Sequence, residues 1–139
     1  MSEAVREARK QRPEFRNIHV TELSNYRMPL AAIVSILHRI SGFMMFALLP
    51  VVLYLLELSI RSEISFGYMQ GIAQQPITKL VILALVWGYF HHFCAGVRHL
   101  IMDMHVGLDK DSARKSSATV LAISLVLTVL VALKLFGVF

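Results

Sequence analysis

The stretch ISGFMMFALLPVVLYLL (Ile40–Leu56) carries no charged residue and decides the fold. Joined to Leu30–Leu37, with only His38 and Arg39 interrupting, the run to Leu58 is long enough to cross the roughly 30 Å hydrocarbon core of a bilayer as one helix. Pro29 suits a helix start. Pro50 lies inside the run, where neighbouring helices can satisfy the freed carbonyl, so a bent helix is expected over about 30–58. Two further apolar runs follow. Leu80 to Val97 lies between Lys79 and Arg98 and continues in helical pattern to Asp103, while Ala118 to Leu133 is uninterrupted, giving expected helices at about 79–103 and 117–137. The predicted fold class is therefore an all-α membrane protein with three transmembrane helices in 29–139, preceded by a basic segment, 1–28.

Composition supports this reading. Of 139 residues, 56% are hydrophobic and 17% charged, with a mean hydropathy of +0.62, which would leave a soluble domain of this size too little polar surface. One small domain fills the length, with Ser62–Pro76 and Met104–Lys115, rich in Gly, Pro or charge, expected as its connections. The net charge of +5 does not point to nucleic acid, because the basic residues flank apolar runs instead of forming a patch interleaved with aromatics. Arg6, Arg9, Lys10, Arg12, Arg16 and Arg27 precede the first helix, and Lys110, Arg114 and Lys115 sit in the second connection. The first connection has little beyond Arg61 and Lys79. By the positive-inside rule the N-terminus is expected in the cytoplasm. The N-terminal segment lacks the apolar core of a secretory signal and contains Glu3, Glu7 and Glu14, unlike an acid-poor transit peptide, so a bacterial inner membrane is the expected location. Cys94, the sole cysteine, reads as a small buried residue.

Polar residues inside the apolar runs carry the functional signal. Ser35, His38, Arg39 and Gly42 recur at i, i+3, i+4 and i+7, and His92, Gly96, His99 and Asp103 at i, i+4, i+7 and i+11, so each of the first two helices has a one-sided polar face. Antiparallel crossing brings the two faces into the same half of the membrane. An arginine at the bilayer centre costs about 2.5–3.5 kcal/mol on insertion scales, so Arg39 and His38 need water, an interfacial position or an anionic partner such as a haem propionate. His92 lies roughly 9 Å along the helix axis from Arg98. It is either a cofactor ligand, with Gly96 clearing space one turn away, or an interhelical hydrogen-bonding group. His91 points about 100° away and fits the latter role. His99 and Asp103 form either a helix-stabilising pair or a propionate contact, and Arg98 is expected at the membrane surface.

Two ordered motifs resemble a known family. Ser35-Ile36-Leu37-His38-Arg39-Ile40-Ser41-Gly42 is similar to the S-x-x-H-R-x-[ST]-G signature of succinate dehydrogenase cytochrome b subunits, and His92-x-x-x-Gly96-x-Arg98-His99-Leu100-x-x-Asp103 is similar to their second signature. The resemblance runs from Arg12-Pro13 through the third helix, and departs at Asn17–Val20, where many relatives carry a Ser-Pro-His-Leu-like run. It implies a heteromeric helix bundle in which His92 is one axial ligand of haem b and a second small membrane anchor subunit supplies the other. His38, Arg39 and His99 would contact haem propionates, and Ser35 with Arg39 would bind quinone. The implied partners are that anchor, an iron–sulfur subunit and a flavoprotein subunit that itself oxidises succinate, so no catalytic residue is expected in this chain. A rival class is a small proton or metal transporter with His38, His92, His99 and Asp103 as a relay.

Overall fold

The computed structural model describes residues 19–25 and 27–138. Among the described residues four α-helices make the architecture: α1 (Leu30–Arg61), α2 (Glu63–Ala73), α3 (Pro76–Asp103) and α4 (Lys110–Leu135), after a short 3-10 turn at Val20–Asn25. Among the described residues there is no strand. Helices α1, α3 and α4 are each long and apolar enough to cross a membrane, so the three expected spans are present. The expected basic segment 1–28 falls, through residue 18, outside the described residues.

Local chemistry explains the helix boundaries. Pro29 stands at the N-cap of α1, where its carbonyl accepts bonds from the backbone N–H groups of Ala32 and Ile33, and α1 then runs unbroken through Pro50 for 32 residues. At 1.5 Å per residue that is roughly 48 Å, so its ends must leave the hydrocarbon layer or the helix must tilt. Ser62, in extended conformation, ends α1 and caps α2: its hydroxyl accepts the Ser65 N–H at 3.1 Å. The Ser65 hydroxyl donates to the Leu58 carbonyl at 2.6 Å, tying α2 back onto α1.

Two boundaries differ from the sequence expectation. The first connection contains a helix, α2, because Gly67 and Gly71 sit where no turn is required and the cap at Ser62 with Glu63 in the first turn favours helix. The last span begins at Lys110 instead of about 117. Asp109 caps it, accepting the Ser112 N–H at 2.9 Å, and that bond holds its carboxyl below the usual carboxylate range. The charged residues 110–115 thus form the polar first turns of α4 and not a loop. The remaining connection turns through His105 and Gly107, both with positive φ.

Helix α3 is central, packing most extensively on α4 and next on α1. Both neighbours run antiparallel to it. Along α1 and α3, His38 meets His99 while Ser41 meets His92; along α3 and α4, Arg98 meets Ser116 while Lys79 lies over Phe136. The buried apolar core among the described residues is small, Val34, Ala95 and Val120, one from each span. Many large apolar side chains, Phe43 and Phe46 among them, face outward, as expected for surfaces solvated by lipid or by further helices.

Ser117 and Ser124 on α4 are fully buried, yet their hydroxyls bond only to carbonyls of their own helix, of Ala113 and Leu121. Their contribution to packing is small size, which lets α4 approach its neighbours. Ser124→Ala should therefore change stability little, whereas Ser124→Leu should destabilise by about 1–3 kcal/mol through overpacking. Thermal unfolding in detergent checks the pair, and equal effects from both would refute the size argument.

Candidate functional site

The site forms where α1 crosses α3. A Cβ added at Gly42 would lie 2.8 Å from Cε1 of His92, so a side chain at position 42 would displace the imidazole. The absence of one lets the ring of His92 lie against the backbone of α1. Its Nδ1 is 3.0 Å from the His38 carbonyl oxygen and 3.2 Å from Oγ of Ser41, while that hydroxyl also contacts the His38 carbonyl at 2.9 Å.

These contacts decide the proton positions. A carbonyl oxygen can only accept, so Nδ1 of His92 is the protonated nitrogen and donates to it. The Ser41 hydroxyl also donates to that carbonyl and accepts the second branch of the Nδ1–H bond. In the neutral ring the lone pair of His92 then lies on Nε2, the nitrogen through which such an imidazole can bind a metal.

Two more rings complete the cluster. His38 stacks on His92 with centroids 4.2 Å apart and planes 13° from parallel, and His99 tilts against the other side of the group, 5.1 Å from His38. The rings are layered instead of converging their nitrogens on one point; among the described residues no group of three or more His, Cys, Asp or Glu side chains is arranged to hold a metal ion directly. His91 turns away as expected. It is fully buried, its Nε2 donates a long bond of 3.4 Å to the Val34 carbonyl, and its ring lies 5.4 Å from Trp87.

The structure therefore brings His38, His92 and His99 together and leaves Ser35 and Arg39 on the flank. Ser35 is half-buried and Arg39 exposed, and neither bonds to the rings among the described residues. The glycine tight against an imidazole is Gly42; a Cβ added at Gly96 would make only ordinary contact, 3.6 Å, with Nε2 of His38. His99 meets His38 and forms no ion pair with Asp103. Arg98 is buried within the bundle: it is 6% exposed and its Nε donates to the Ser116 hydroxyl at 2.9 Å. Ser41 was assigned no role from the sequence, although its position three residues after His38 and beside Gly42 carried the signal. His19, exposed, makes local contacts with the hydroxyl and the backbone N–H of Thr21.

Residues 8–131 match the model of the succinate dehydrogenase/fumarate reductase transmembrane subunit family. The chain belongs to this family. Succinate dehydrogenase cytochrome b556 subunits are its relatives: that of Paracoccus denitrificans is 33% identical over 114 residues, covering 82% of this chain and 88% of the relative. That of Coxiella burnetii is 34% identical over 110 residues, 78% and 88% of the two chains, and that of Rickettsia felis 31% identical over 108, 78% and 84%. Membership in the succinate dehydrogenase/fumarate reductase transmembrane subunits sets aside the transporter reading and identifies the three-span bundle as a membrane subunit of such an enzyme.

The proton assignment can be read directly. In the assembled complex with 15N-labelled histidine, solid-state NMR should find the proton of His92 on Nδ1. Gly42→Ala should shift that signal by displacing the ring. A proton on Nε2, or no response to Gly42→Ala, would show that the α1 backbone does not orient this imidazole.

Proposed function

We propose that the chain is the cytochrome b anchor of a succinate:quinone oxidoreductase, holding haem b through His92 and lining part of the quinone site. The observation that carries this reading is the hydrogen bond from Nδ1 of His92 to the His38 carbonyl, which in the neutral imidazole puts the lone pair on Nε2. That donor state fits a haem iron ligand, and a second-layer bond of this kind fixes the ring and raises its basicity. Haem, when bound, supplies a one-electron carrier between soluble donor and membrane acceptor.

The remaining roles follow from charge and position on α1 and α3. His38 lies against the His92 ring and His99 against His38, and Arg39 adds a permanent positive charge one residue on, a combination suited to haem propionates. Ser35 and Arg39, one turn apart on the same flank, offer a hydroxyl and a guanidinium to a quinone oxygen, donating hydrogen bonds and stabilising negative charge as it is reduced. That flank faces out of the chain, so the pocket is completed by other subunits: a second membrane anchor, which also gives the other axial ligand, and an iron–sulfur subunit that receives electrons from a flavoprotein. The excess of Arg and Lys around the N-terminus and at the start of α4 supports a cytoplasmic N-terminus in a bacterial inner membrane.

Two measurements test the assignment. His92→Ala in the purified complex should abolish the six-coordinate low-spin spectrum; its retention would overturn the ligand role. With Ser35→Ala or Arg39→Leu, quinone reduction should fall at least tenfold, about 1.4 kcal/mol of lost stabilisation, while succinate oxidation with an artificial acceptor persists. Unchanged quinone kinetics in both variants would remove these residues from the site.

A further inference from the structure

A separate polar feature lies on the side of α3 that packs against α4. Between the two helices is a cavity of about 580 Å³, within the roughly 300–1,000 Å³ of ordinary ligand pockets, and its lining is mostly apolar, including Phe93, Val97, Ile101 and Ile123. Arg98 also lines it. This arginine is 6% exposed and its Nε is engaged by Ser116, but its Nη2 is sealed from solvent and has no hydrogen-bond partner among the described residues.

Such a group demands an anion. A guanidinium cannot be discharged at any physiological pH, and burying its charge without a counter-charge is costly, especially beside a bilayer. No carboxylate is paired with Arg98 among the described residues; at the same end of the groove the bases Lys110, Arg114 and Lys115 are offset by Asp103, Asp109 and Asp111, so the uncompensated charge is that of Arg98 itself. A small inorganic anion would answer the charge and leave the apolar length of the groove unfilled. A zwitterionic or neutral lipid would fill that length and compensate the charge poorly. One molecule that satisfies both has a phosphate joined to hydrocarbon, and the planar donors of arginine match phosphate oxygens.

We propose that the groove between α3 and α4 holds an anionic phospholipid, with its phosphate beside the part of Arg98 that lines the groove, where it offsets the buried charge, and an acyl chain along the apolar wall. The site is independent of the histidine cluster and of the quinone flank.

The test uses the assembled complex in phosphatidylcholine nanodiscs containing a small fraction of photoactivatable phosphatidylglycerol or, in parallel, photoactivatable phosphatidylcholine. After illumination, the acidic probe should label α3 and α4 groove peptides several-fold more than the zwitterionic one, and added inorganic phosphate should not compete. Arg98→Gln should remove that excess, and Ile123→Trp, which fills the groove without touching the guanidinium, should lower labelling by both probes. If Arg98→Gln fails to assemble by size exclusion, the wild-type comparison and Ile123→Trp still decide. Equal labelling by the two probes, an excess that survives either substitution in an assembled complex, displacement by inorganic phosphate, or a groove that is unlabelled because a partner subunit covers it would each overturn the proposal.

Discussion

The hydrogen bond between His92 and the His38 carbonyl is made across two membrane-spanning helices, and the register of the bundle depends on it. Within a bilayer an unpaired polar group costs several kcal/mol, so such a bond strongly favours one relative position of the helices that carry it. Its neighbour repeats the device. His91 bonds the Val34 carbonyl while His92 bonds that of His38, so adjacent side chains on α3 grip two carbonyls one turn apart on α1. Sliding or rotating either helix would break both contacts. Gly42 is the steric condition for this clamp, because a side chain there would hold the His92 ring away from α1.

With that register set, the unequal work of the three spans follows. Helix α3 has chemistry on both sides: histidines toward α1 and Arg98 toward α4. Helix α4 contributes small buried serines and a polar first turn, and its contact with α3 encloses the groove that Arg98 lines. The apolar core is too small to hold a water-soluble domain together. Its sufficiency here reflects a different solvent, since in lipid the outward Phe, Leu and Ile side chains need no burial within the chain and close packing with hydrogen bonding does more of the work.

The spans and the histidine faces were legible in the sequence because each is a periodic signal repeated over many residues. Leu80–Val97 and Ala118–Leu133 admit few alternatives, and i, i+4, i+7 spacing assigns residues to faces whatever lies opposite. Helix starts were less legible. A single capping residue, Ser62 or Asp109, converted stretches that look loop-like by charge or glycine content into helix, and such a local signal is easily outweighed in a compositional reading. The crossing point was not legible at all: periodicity shows that Gly42 and Gly96 both lie on polar faces, but only the position of the partner helix decides which one an imidazole must pass. The burial of Arg98 is not legible for the same reason, since its partner, Ser116, lies on a different helix.

Neighbouring residues on a helix diverge by about 100°, and this angle governs how much of a site one chain can contain. Because His38 is committed to the rings of α3, Arg39 cannot point there; it is exposed on the outer flank, with Ser35 one turn below. An arginine on a membrane-embedded flank is too costly to leave facing lipid tails, so the same geometry that orders the histidines requires something polar outside the chain at Arg39. A heteromeric bundle meets that requirement. On the proposed reading, the haem and the quinone lie at the seam between subunits, and the clamp of His91 and His92 on α1 sets the angle at which this chain presents its half.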